Sequence, residues 1–214
     1  MSQHTDEDVE LNTQRIEAFS DGVFAIAITL LILEIKVPHL NGLGDGKSLA
    51  QALADLWPSY FAYLLSFVMI GIYWANHHYI FKLYQKTDHA FNLLNVFFLM
   101  CISFLPFPTA VLGEYVNDAQ ERHTAIRFYA FGLLLPALSW LLMWLYASRN
   151  YRLIDKRLDQ KFVGRLSRQY ILSMTFYLAS LLVSFKSVTV CLGMCVGLTL
   201  LYLLPPKKPV YRKA

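Results

Sequence analysis

The sequence predicts an all-α membrane protein of six transmembrane helices. Three observations carry this: a low share of charged residues, six apolar runs of bilayer length, and a one-sided distribution of basic residues. Of 214 residues, 56% are hydrophobic and 16% are charged, against the roughly 25% charged of a soluble domain. Mean hydropathy is +0.40.

The six predicted spans are Ile16–Val37, Trp57–Asn76, Ala90–Leu112, Ala125–Ala147, Leu166–Phe185 and Ser187–Leu204. Each has about the 17–25 residues a spanning helix needs. Helix is expected because lipid leaves every backbone group to be satisfied within the segment, and the alternation of a barrel strand is absent. The first span should end at Pro38, which cannot continue a helix comfortably. A polar turn follows over residues 40–48. Its Gly46-Lys47-Ser48 end suggests a phosphate-binding loop, but position 41 is Asn where the first Gly belongs and no strand precedes it. The second span should end in Trp74-Ala75-Asn76-His77-His78. Pro106 and Pro108 should break or kink the third span, and Pro136 the fourth. Arg149–Arg168, with seven basic residues, reads as an amphipathic stretch at the inner membrane surface or as topogenic charge. Pro205 and Pro206 stop the last span.

Of 19 Lys and Arg, 14 lie on one side if the N-terminus is inside: Arg15, Lys82, Lys86, the seven from Arg149 to Arg168, and the four from Lys207 onward. Five lie on the other side. By the positive-inside rule both termini are cytoplasmic, which requires an even number of spans. The net charge of +4 therefore speaks of topology and membrane lipids, not of nucleic acid. Residues 1–14 carry Asp6, Glu7, Asp8 and Glu10, an acidic solvated tail and no basic signal peptide. Residues 15–204 form a single six-helix unit without internal repeat, and 205–214 a second tail. Cys101, Cys191 and Cys195 lie in apolar spans and imply no disulfide framework. Cys191 and Cys195 share a helix face, but two thiols make a poor metal site. No cofactor is implied.

The chemistry concentrates in the first span. Arg15-Ile16-Glu17-Ala18-Phe19-Ser20-Asp21-Gly22 runs directly into an apolar helix. A carboxylate at the mouth of a membrane helix is expensive and usually has a partner or a role. Gly22, Ile26, Leu30 and Leu33 follow a 4, 4, 3 rhythm along one face, with Thr29 beside it. By periodicity alone that stripe is a lipid or packing face.

The Arg-x-x-x-Phe-Ser-Asp-Gly motif resembles the signature of the transmembrane protein 175 family, the endolysosomal potassium channel and its prokaryotic relatives. The resemblance covers the whole chain in layout and is concentrated in residues 15–34 and 74–78. It implies that the first helix lines a central pore, with Ile26, Leu30 and Leu33 at the constriction, Thr29 as a polar layer and Gly22 at the inner end. It likewise implies that Arg15, Phe19, Ser20 and Asp21 form a network with Trp74, Asn76 and His77. One helix cannot enclose a pore, so about four copies are required, most simply a homotetramer.

The implied function is a potassium-permeable cation channel. A continuous helix has spent its carbonyls, and no Thr-Val-Gly-Tyr-Gly loop occurs. Potassium ions would pass transiently through rings of side chains, of which apolar ones gate by dewetting. Asp21 is either a member of a structural network or one of four carboxylates at the pore mouth. His77 and His78 diverge on a helix, so one alone faces the first span, and an imidazole there could sense protons. A secondary cation transporter or proton-coupled carrier is the alternative, although few charges lie deep in the spans. An enzyme is not expected, since no triad assembles. The single-unit layout suggests a prokaryotic inner membrane.

Overall fold

The computed structural model describes residues 13–38, 48–204, 206 and 208–212. The acidic tail up to residue 12 and the turn up to residue 47 lie outside the described residues. Among the described residues all regular elements are helical: α1 (Thr13–Leu30), continued by a 3-10 turn (Leu31–Glu34); α2 (Leu49–Asp55); α3 (Trp57–Phe81); α4 (His89–Phe104); α5 (Pro106–Tyr115); α6 (Arg122–Ser148), followed by a 3-10 turn (Arg149–Tyr151); α7 (Gln160–Val183); and α8 (Val188–Tyr202).

Helix starts follow side chains that absorb orphan N–H groups. Ser48 and Gln51 form a capping box for α2, a helix not expected from the sequence. Asp88 accepts from the Phe91 N–H at 2.8 Å to start α4. Asp159 accepts from Lys161 and Phe162 to start α7, and Ser187 accepts from Val190 to start α8.

Pro106 and Pro108 act as expected: the third predicted span divides at Leu105, with Pro106 opening α5. Pro136 ends nothing, since α6 runs unbroken across it. Two further boundaries move. Helix α3 continues to Phe81, so Trp74–His78 lie inside it and not at its end. Helix α7 begins six residues before Leu166, so the basic stretch forms no surface helix of its own but becomes a loop and the first turns of α7.

Among the described residues, four stretches are long and apolar enough to cross a membrane: Thr13–Glu34, Trp57–Phe81, His89–Tyr115 and Arg122–Tyr151. They mark an integral membrane protein. Helix α7 carries Lys161, Arg165 and Arg168 in its first half, and α8 has 15 residues, fewer than the 17–25 of a typical span.

Helix α6 runs through the middle, packed against α4, α5, α7 and α8, while α1 lies at the periphery against α3 and α4. Trp144, Met143 and Ala147 of α6 are fully buried. At one end the loops lock together. Gln85 N–H donates to Leu153 and Asp155 N–H to Leu83, both at 2.9 Å, across a Tyr84–Ile154 bridge. The C-terminal tail returns to the same place: Asp159 N–H donates to Val210 and Arg212 N–H to Arg157. Thus the α3–α4 loop, the α6–α7 loop and the tail share one end of the bundle.

Candidate functional site on the first helix

Helix α1 has two faces. Ser20, Phe24, Ala27 and Leu31 recur at 4, 3, 4 spacing and are buried against α3 and α4. The opposite face holds the predicted stripe. Ile26 is 61% exposed, Leu30 46% and Leu33 64%. Gly22 and Thr29 are also exposed. Among the described residues, nothing outside its own helix backbone lies within 4 Å of a Cβ built on Gly22. The Thr29 hydroxyl turns back to the Ala25 and Ile26 carbonyls at 2.9 and 3.0 Å, so its proton is used inside the helix and its lone pairs face outward. Glu34 is half-buried, in a small recess with Ser59, Thr109 and Gly113.

The buried face is held by a directed chain of hydrogen bonds. Ser20 donates to the Ile16 carbonyl at 2.7 Å and accepts from the Asn95 amide at 3.0 Å. The Asn95 carbonyl lies 3.0 Å from His77 Nε2. Since that oxygen only accepts, His77 must carry its proton on Nε2 and donate. All three residues are at most 1% exposed. The His77 ring is stacked on Phe81 at 4.2 Å and meets the Phe24 edge at 5.5 Å. The hydrogen-bonded path from His77 to Ser20 therefore runs through Asn95 of α4, while its ring touches α1 directly at Phe24.

Asp21 lies one position from Ser20 and at the surface. Its Oδ1 accepts from the Trp74 indole at 2.9 Å. Among the described residues, that indole and not Arg15 is its partner. Arg15 is exposed, as is Phe19 at 56%. Asn76 donates to the Ile72 carbonyl of its own helix at 2.9 Å and does not join the network. His78 is exposed, one turn beyond Trp74 on α3. The structure thus brings together Ser20 with His77, and Asp21 with Trp74, in two separate links. It leaves Arg15, Phe19 and Asn76 outside them.

Sequence reasoning missed Asn95, the middle member of the buried chain. An amide at the centre of Phe91-Asn92-Leu93-Leu94-Asn95-Val96-Phe97-Phe98 is the available signal. A polar side chain deep in an apolar run needs a partner, and Asn95 sits on the face shared by Phe91 and Phe98, both fully buried.

Known proteins resemble this chain along most of its length. The family model described as endosomal/lysosomal potassium channel TMEM175 matches residues 15–106, which include every residue of both links. A protein of Chamaesiphon minutus named as a potassium channel is 44% identical over 192 residues, 90% of this chain and 94% of its own. The TMEM175 of Gallus gallus, named as an endosomal/lysosomal proton channel, is 39% identical over 122 residues, 55% of this chain and 24% of its own. The crystal structure of a lysosomal potassium-selective channel TMEM175 homolog from Chamaesiphon minutus superposes with a TM-score of 0.78, at 42% identity over 89% of this chain and 96% of that one. By signature, sequence and fold alike, the chain belongs to the TMEM175 family.

Proposed function

We propose that this protein is a potassium-permeable cation channel whose pore is lined by the outward face of α1 in a cyclic homotetramer. The observation that carries the reading is the division of α1 into two faces. One is pinned into the bundle by Ser20, Asn95 and His77. The other leaves Ile26, Leu30 and Leu33 largely exposed among the described residues. Gly22, which has open space where a side chain would stand, permits close approach at the inner end.

In this assembly Ile26, Leu30 and Leu33 form hydrophobic rings, and Thr29 offers lone pairs between them. Side chains, not backbone carbonyls, then face the ion, because a helix keeps its carbonyls for itself. Such rings gate by dewetting. Asp21, held by Trp74, sets a ring of carboxylates at the mouth while the same bond fixes the tilt of α1 against α3. Helices α7 and α8 complete six spans in a unit of residues 15–204. The shared location of the α3–α4 loop, the α6–α7 loop and the tail agrees with the charge distribution, which sets that end and both termini in the cytoplasm of a prokaryotic inner membrane. The named relatives are channels, which is not an enzyme class.

The test is the reversal potential across a planar bilayer holding the purified protein, with potassium on one side and sodium on the other. A stable macroscopic current reversing toward the potassium potential supports the reading. Absence of current, with slow saturable uptake into proteoliposomes, replaces it with a carrier.

A further inference from the structure

A long groove runs between α7 and α8, neither of which packs substantially against α1. It encloses about 610 Å³, within the range of roughly 300–1,000 Å³ in which small ligands are held. One wall is a single face of α7: Arg165 and Arg168 near the helix start, then Leu172 and Phe176 one and two turns further. The facing wall is α8, with Met194, Leu198 and Leu201, and Tyr170 and Tyr202 lie deeper. The returning C-terminal tail crosses the mouth and brings Lys208 to the same end as the two arginines.

We propose that this groove binds one anionic phospholipid, its phosphate held by Arg165, Arg168 and Lys208 and an acyl chain laid along α7 and α8. The proposal goes beyond the channel reading and needs only that the protein sits in a membrane. Two features choose this occupant. Charge is complementary: among the described residues, the groove lining includes three cations and no carboxylate. Asp159, near the start of the same helix, is occupied with the Lys161 and Phe162 N–H groups. Polarity is also graded as in a lipid. The basic groups gather at the end where the loops and tail meet, and Leu172, Phe176, Met194 and Leu198 extend from there along the bundle. Basic pockets between membrane helices are fitted to phosphate head groups in this way. Gly197 leaves the groove open midway along α8, with no atom within 4 Å of where its side chain would project.

The test is native mass spectrometry of the delipidated full-length protein, titrated with phosphatidylglycerol or phosphatidylcholine of identical acyl chains. The wild-type protein is expected to retain at least one phosphatidylglycerol per chain, about ten-fold in excess over phosphatidylcholine. Because three cations share that preference, each one removed should reduce it about two-fold. Lys208→Gln alone, on the exposed tail, tests this without disturbing a helix, and Arg165→Gln with Arg168→Gln extends it. Gly197→Phe should reduce retention of both lipids by blocking the acyl path while keeping every charge. Equal retention of the two lipids by the wild-type protein overturns the proposal, as does a preference unchanged in Lys208→Gln and in the arginine pair. If Gly197→Phe alters the oligomeric state and leaves lipid retention intact, the groove seats a second copy of the chain and the proposal falls.

Discussion

The amide of Asn95 on α4 donates to the hydroxyl of Ser20 on α1 at 3.0 Å, and both side chains are completely buried. This bond links α1 to α4 at the level of the motif. Asn95→Leu removes it and strands the His77 N–H in an aromatic cage. A buried donor left unpaired costs about 1–3 kcal/mol. The midpoint of thermal unfolding in detergent should fall by several degrees. An unchanged midpoint would show that the network contributes nothing to holding α1.

The link between Asp21 and Trp74 is exposed and should behave differently. Trp74→Phe keeps the ring and removes the donor; Asp21→Asn keeps an acceptor and removes the charge. In a double-mutant cycle on unfolding, the coupling should be about 1 kcal/mol. In bilayers, Asp21→Asn should reduce cation over anion permeability more than Trp74→Phe does. Equal effects would assign Asp21 a purely structural role.

Ile26→Asn places an amide on the outward face of α1. Polar side chains wet a hydrophobic constriction, so single-channel conductance should rise several-fold. A conductance equal to that of the wild type would move the constriction to Leu30 or Leu33.

Gly132 on α6 meets α5 at close range, with a built Cβ only 2.7 Å from Pro108 Cγ. Gly132→Ala should destabilise the protein by about 1–3 kcal/mol, the usual cost of overpacking. Gly193→Ala on α8, where the space is open, should be neutral or gain up to about 1 kcal/mol from helix propensity. Similar unfolding midpoints for the two variants would contradict this packing.

Asp88 joins three elements at the loop end of the bundle. Desolvation works against its charge, but the Phe91 N–H, the Tyr146 hydroxyl and the Arg152 guanidinium together outweigh it and hold the carboxyl below its usual range. The folded state therefore gains stability from this group above about pH 4, the ordinary carboxylate value. That gain is lost as pH falls through the depressed folded value. Asp88→Asn keeps the helix cap and loses the charge, so it should cost about 0.5–1 kcal/mol at pH 7. The difference from the wild type should close below about pH 4. A difference constant with pH would assign the effect to the cap alone.

Much of the fold was legible because membrane helices advertise themselves through length and hydropathy. The six predicted apolar runs coincide with helical segments, four of them long and apolar enough to cross a membrane among the described residues, and the break at Leu105 follows from two prolines. Pro136 does not end α6, because neighbouring helices can support a proline-bearing turn, and nothing local to residue 136 records those neighbours. The start of α7 was misplaced because Arg165 and Arg168 read as loop, whereas their side chains simply leave the helix at its loop end. Within the candidate site, Ser20, Asp21, Trp74 and His77 were named from the motif. The pairing was not legible: Asp21 prefers an indole on α3 to the nearby Arg15, and Ser20 reaches His77 only through Asn95. Such pairings depend on how α3 and α4 cross α1, a relation between segments about 50 to 75 residues apart.

Assembly on the outward face of α1, as proposed, would couple folding to mass action. Where copies of the chain cover that face, part of the stability of α1 is a binding free energy and varies with protein density in the bilayer. Dilution into excess lipid then loosens residues 19–34 while α6, enclosed by four helices of its own chain, is unaffected. Amide hydrogen exchange along α1 would speed up as the protein-to-lipid ratio falls, a readout of assembly that requires no ion flow at all.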